Sequence, residues 1–181
     1  MNTASKNLEA DHVHVLKLTD VMNAVTRTKN PDIGHIESII DIIMNFADGL
    51  HHAKEENHFF PALEKKGFSP DQGPVGVMLH EHREGRNFVK GIADNLNDLK
   101  NGNKQALKGI YTNMSGYAEL LQGHILKENN ILFRMADNIL TDKEQKDLLD
   151  KFESLEQSRP AGTHANDYVD RINALAAIYK V

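Results

Sequence analysis

The chain has 181 residues, 40% hydrophobic and 26% charged, with 21 basic and 26 acidic side chains giving a formal net charge of −5. That is enough for one domain with a substantial core, and the acidic balance argues against a nucleic-acid partner or an anionic membrane surface. With no cysteine, the chain has no disulfide, thiolate ligand or iron–sulfur cluster of its own; no apolar run spans a bilayer and no signal-peptide core opens the sequence, so the cytoplasm is the expected location.

Breaks of Pro and Gly divide a pattern that is helical throughout. Helix 1 is predicted over Lys6 to Thr28, followed by a break at Asn30-Pro31-Asp32 with Asp32 as N-cap of helix 2. Helix 2 runs over Ile33 to Lys66, and Pro61 within it predicts a kink or an early stop near Phe60. Residues 67–73 form a loop, and Pro74 suits the first turn of helix 3. That helix ends near Asn101-Gly102-Asn103, and helix 4 spans Lys104 to Ala136. Thr141 and Glu144 have the spacing of a capping box for a fifth helix reaching Gln157. Residues 158–162 are a linker, and a last helix covers His164 to Lys180. The expected architecture is all-α: an up-down-up-down four-helix bundle over 1–140 with a C-terminal helical extension over 141–181.

Ten histidines are the one compositional anomaly. Four of them fall on the inward stripes of four different helices. The stripe of helix 1 is Leu8, His12, Val15, Thr19 and Met22. That of helix 2 is Ile36, Ile40, Ile43, Ala47, His51, Glu55 and Phe59. Helix 3 offers Val75, Met78, His82, Gly85, Val89, Ile92, Leu96 and Leu99, and helix 4 offers Ile110, Met114, Tyr117, Leu121, His124, Glu128, Ile131 and Met135. In an antiparallel bundle the starts of helices 1 and 3 share one end with the ends of helices 2 and 4. His12, His82, His51/Glu55 and His124/Glu128 then lie at one level. Buried polar groups of this kind are costly without partners, and a His and a Glu four residues apart face the same way. Six N/O donors exceed what one tetrahedral zinc takes. A pair of iron ions bridged by carboxylates and a solvent oxygen is the best match, with zinc and manganese as alternatives.

The remaining histidines are weaker candidates. His52 with Glu56 forms a row about 100° off the stripe and is read as a supporting or rim pair, although a kink in helix 2 leaves the choice between rows 51/55 and 52/56 open. His14, His35, His58 and His80 fall off the stripes and are expected to be exposed. Glu81 is placed to orient His82 or reach an ion, and His164 to cap the last helix. Tyr117 reads as a core tyrosine. Gly85 leaves room either for a small ligand or for close helix packing.

These residues resemble the hemerythrin-like family, the HHE cation-binding domains. The matching blocks are Ala10-Asp11-His12, HHAKEENHFFPAL at 51–63, GPVGVMLHEHREGR at 73–86 and HILKENNILFRMAD at 124–137. The resemblance implies a four-helix bundle around an oxo- or hydroxo-bridged non-haem di-iron centre. It assigns His12, His51, Glu55, His82, His124 and Glu128 as ligands, with both glutamates bridging. Oxygen-carrying hemerythrins have a further histidine where this chain has Met78, and an aspartate five residues after the last histidine where this chain has Glu128 four on. The chain is also similar to bacterial proteins that repair damaged iron–sulfur clusters. Those have a cysteine-bearing N-terminal domain and an extra histidine where this chain has Arg27. The expected function is to bind or reduce a small oxidant, O2, peroxide or nitric oxide, at an apolar-walled site bounded by Phe59, Met78, Val89 and Ile131. The alternative is an iron or redox sensor, or a cluster-repair factor, acting through a protein partner, with the C-terminal helices released on metal loss.

Overall fold

The computed structural model describes residues 3–181 and is all-helical. Helix α1 is Ala4–Val25, opened by the Thr3 hydroxyl accepting from the Lys6 N–H. Asp32 caps α2 by accepting from Gly34 and His35, and α2 runs over 33–64. The third helix, α3, is Gly73–Lys100, with Pro74 in its first turn. It is followed by α4 over 106–139, by α5 at Asp142–Gln157, capped by the expected Thr141/Glu144 box, and by α6 at Ala165–Tyr179. Among the described residues no helix is long and apolar enough to cross a membrane.

α1 to α4 form the bundle, each packed on its neighbours. Two apolar clusters fill it. The larger holds Val15, Leu50, Val89, Leu121 and the residues beyond them. The smaller holds Leu8, Phe59, Met78 and Leu132 at the other end. On every one of the four helices the inward histidine lies between a residue of one cluster and a residue of the other. The polar layer is therefore sealed above and below by hydrocarbon. The last two helices close the side: Phe152 of α5 joins the smaller cluster, and Tyr168 and Ile172 of α6 join the larger. Arg159, in the connection between them, donates to the Gly49 carbonyl at 3.0 Å.

Three stretches of these helices are π-helical: Ile43–His52, Glu55–Phe59 and Glu128–Leu132. Such turns bond five residues back instead of four and are common at functional sites. Two of them start on the central glutamates. The Glu55 carbonyl accepts from the Phe60 N–H, and the Glu128 carbonyl from the Phe133 N–H. The segments HHAKEENHFFPAL at 51–63 and HILKENNILFRMA at 124–136, which are alike in sequence, thus share the same local distortion.

Several expectations are corrected, those at Pro61 and Ile131 by these wide turns. Pro61 neither stops nor breaks α2, which continues to Glu64. The π turn immediately before it relaxes the crowding that a proline ring creates against the carbonyl four residues back. After Glu128 the inward stripe slips by one residue. Leu132 and Ala136 are buried, whereas Ile131 and Met135 are 51% and 40% exposed. Ile131 is therefore not a wall of the site. In α2, Ile39 and Ile42 are buried while Ile40 is only half-buried. Leu99, near the end of α3, is likewise half-buried.

Candidate metal centre

Two overlapping groups of donors occupy the polar layer. One is His12, His51, Glu55 and Glu128; the other is His52, Glu55, His82 and His124. Within each group the donor atoms lie within 4.8 Å of one another, and every member is buried. His12 Nε2 is 3.1 Å from His51 Nε2, and His82 Nε2 is 3.2 Å from His124 Nε2. Glu128 Oε2 lies 3.2 Å from His12 Nε2 and 3.3 Å from His124 Nε2, so it touches both groups. Glu55 Oε2 lies 3.7 Å from His51 Nε2 and 3.5 Å from His82 Nε2, and does the same. All six sequence-predicted residues meet at one level.

His52, read from the sequence as a supporting or rim residue with the choice of rows left open, lies buried inside the polar layer. It joins the three-histidine group and stacks on His82 with ring centres 3.7 Å apart. The reason is the π-helical run ending at His52. A wider turn rotates less per residue than an α turn, so adjacent residues 51 and 52 both face inward. The doublet at 51–52 was the available signal. Helical spacing of 3.6 residues per turn argued against it.

Each imidazole is held from outside through Nδ1. His12 meets Asn129 Oδ1 at 2.7 Å, His51 meets Asp11 Oδ2 at 3.4 Å, and His52 meets Asp48 Oδ1 at 3.1 Å. His82 meets Glu56 Oε1 at 2.7 Å and His124 meets Glu81 Oε2 at 3.0 Å. Glu56 thus orients His82 and does not pair with His52, and Glu81 orients His124, not its neighbour His82. Cations hold these acceptors: Lys54 donates to Asp11 at 2.7 Å, Lys127 donates to Glu81, and one guanidinium, Arg86, binds both Asp48 and Glu56. An acceptor on every Nδ1 fixes the proton there and turns the Nε2 lone pair inward.

The centre is consequently short of protons. Inward lone pairs of imidazole face carboxylate oxygens, and none of the four oxygens of Glu55 and Glu128 has a hydrogen-bond partner, although all four are buried. Lone pairs facing lone pairs in a dry interior repel unless positive charge lies between them. Protons or a cation can supply it. Without a cation, burial and the adjacent Glu128 charge push the Glu55 carboxyl well up. Burial opposes charging of His124, but the Glu128 and Glu81 carboxylates outweigh it and raise that imidazole to about 9. Burial brings His51 and His82 down to about 3, so both stay neutral and able to ligate. The donor set, its burial and its orphaned oxygens all fit divalent cations.

The other candidates lie elsewhere. His80 is exposed, but His14, His35 and His58 are half-buried, contrary to expectation. His35 bonds the Tyr179 hydroxyl at 2.8 Å, which draws it under α6. His164 occupies the N-cap of α6, where its own N–H donates to Asp167 at 2.9 Å. Tyr117 is buried, and a Cβ added to Gly85 would sit 3.2 Å from its ring. The missing side chain lets the helices pack closely there.

A family model described as the hemerythrin HHE cation-binding domain matches residues 3–136. The iron–sulfur cluster repair protein YtfE of Edwardsiella ictaluri is 32% identical over 89 residues, covering 48% of this chain and 40% of that protein. The protein of the same name from Escherichia coli O157:H7 is 32% identical over 88 residues, with the same coverage. The uncharacterized protein Rv1995 of Mycobacterium tuberculosis is 23% identical over 131 residues, 72% of this chain and 51% of that one. The chain thus spans about half or less of the length of these relatives. No solved structure matches it.

Proposed function

The chain belongs to the hemerythrin HHE cation-binding domain family, and from that premise we propose that it holds two iron ions and uses them to bind or reduce a small oxidant. The observation that carries this reading is the set of four buried, unpaired carboxylate oxygens facing inward nitrogens whose protons are all committed outside. His12 and His51 would hold one ion and His52, His82 and His124 the other, with Glu55 and Glu128 shared. The histidine absent at Met78 is made good from α2 by His52. Two carboxylates offset only part of the charge of two divalent ions, which leaves demand for anionic or polarisable ligands at open positions. When bound, the iron pair supplies redox change and open coordination sites for O2, peroxide or nitric oxide.

The chain's own residues set the conditions for that chemistry. The five outer acceptors hold the rings in place and take the Nδ1 proton, which turns each Nε2 inward and makes it a better donor to a cation. Phe59, Met78 and Val89 exclude bulk water, and Phe133 stacks on the His12 ring at 5.5 Å. Tyr117, kept protonated by burial, is a neutral hydroxyl and not a base.

The test is iron content followed by spectroscopy. We expect about two irons per chain and a charge-transfer band when O2 or nitric oxide is added to the anaerobic ferrous protein. Iron-supplied protein with neither iron nor band overturns the reading. A second reading, iron delivery in cluster repair, is favoured by the likeness to YtfE over half the chain. It predicts iron transfer to a damaged cluster in a recipient protein, and loss of that transfer in the Glu55→Gln variant.

A further inference from the structure

A cavity of about 320 Å³ opens between α2 and α3. Its walls include Ile43, Met44, Val89 and Ala93, and its inner end reaches His52 and His82. A water molecule takes roughly 30 Å³ of the liquid. The space is therefore about that of ten waters, several times what a two-heavy-atom ligand such as O2, nitric oxide or hydrogen peroxide needs. Chambers of a few hundred Å³ with carbon walls and a few polar groups at one end are the usual form of a small-molecule site.

We propose that this cavity binds the hydrocarbon body of a neutral alkyl hydroperoxide of about ten non-hydrogen atoms, with the oxygen head against His52 and His82. This deepens the proposed function and rests on it: it names the kind of oxidant. Three observations argue for it. The volume suits a body larger than any diatomic. The exposed lining is mostly carbon, with Asp48, Arg86 and Lys90 as the polar exceptions away from the histidines, so water filling it would find few partners. The polar groups lie where a peroxide head would meet the three-histidine position. Tyr117 lines the same space beside Gly85, and its phenol is a donor suited to an oxygen acceptor. The cations at the cavity favour a neutral ligand over an anionic one. Arg86 is bound to Asp48 and Glu56, and Lys90 to Asp94 at 2.5 Å.

The probe is n-octanol, a redox-inert counterpart of the hydroperoxide. It is titrated by calorimetry into metal-free and zinc-loaded protein, and into cobalt-loaded protein with the d–d bands followed. We expect saturable binding of one molecule per chain and a shift of the cobalt bands. Ala93→Phe places a ring in the cavity about three turns along α3 from His82. It should weaken binding at least tenfold while zinc content is unchanged, and Ala93→Leu replaces it if the phenylalanine variant does not fold. No saturable binding to the wild type, or equal binding to the variants, overturns the proposal and leaves the cavity as a passage for diatomics. Binding without a cobalt shift overturns the placement of the head. The iron content and nitric oxide band are read on the same protein. Their presence without octanol binding sinks this proposal alone, whereas octanol binding without them sinks the oxidant reading and the hydroperoxide with it, leaving the cavity as a site for a neutral amphiphile.

Discussion

The imidazole of His52 lies almost flat on that of His82, ring centres 3.7 Å apart and planes 17° from parallel. Two stacked imidazolium ions would repel strongly, and burial with neighbouring imidazole charge holds His82 down to about 3. Both rings are fixed from behind by carboxylates that share Arg86. The pair is thus built to present neutral nitrogens side by side, which is what a cation requires.

If His52 is a ligand, His52→Ala should lower bound metal from about two ions per chain to about one, or weaken the second ion by more than the ~10–100-fold typical of losing an outer partner. His80→Ala, at an exposed ion pair with Glu84, should change nothing. Elemental analysis and competitive chelator titration measure both. Unaltered stoichiometry and affinity in His52→Ala would remove it from the site.

Glu55→Gln should act in opposite directions on the two forms. In the metal-free protein Glu55 is a buried carboxyl whose pKa is raised by burial and by Glu128. Folding then retains a proton that the unfolded chain releases above its ordinary value of 4.5, so this group costs stability increasingly as pH rises past that point. The variant should therefore be more stable than wild type without metal at pH 7, by about 1–3 kcal/mol, or roughly 2–4 °C in Tm per kcal/mol. The gain should vanish as the pH approaches 4.5. With metal present the order should reverse. Calorimetry of both forms at two pH values decides it, and a destabilised metal-free variant at pH 7 counts against the argument.

The slip of the stripe at Glu128 is testable by packing. Leu132 is buried and Ile131 is 51% exposed. Leu132→Ala should cost about 2–5 kcal/mol, and Ile131→Ala less than about 0.5 kcal/mol. Denaturant titration reads both. The reverse ranking would restore the regular 3.6-residue stripe.

The acid limit of α5 follows from Glu144. Its carboxylate is lowered to about 2 first by Lys66 and then by the Thr141 cap. A depressed acid stabilises the fold above its ordinary value of 4.5, and that contribution is lost as pH falls from 4.5 towards 2. Glu144→Gln should thus be less stable than wild type at pH 7 and equal to it near pH 2, as followed by hydrogen exchange in residues 142–157. A difference that persists at pH 2 would assign the effect to packing.

Local rules made much of this protein legible from its sequence. Apolar periodicity gave four helices, Asp32 and Thr141 gave two helix starts, and the recurrence of His12, His51, His82 and His124 on inward stripes placed a polar layer at one end of a bundle. Those inferences need only neighbours within a turn or two, where an α-helix repeats regularly. What only the tertiary structure decided begins where that repeat changes. The π turns carried His52 inward, passed Pro61 without a break, and exchanged Ile131 for Leu132. Likewise, four of the five ring partners, such as Asn129 for His12 and Glu81 for His124, come from other helices, Asp48 for His52 being the exception. Sequence spacing is blind to them because packing, not the chain, brings those atoms within hydrogen-bonding reach.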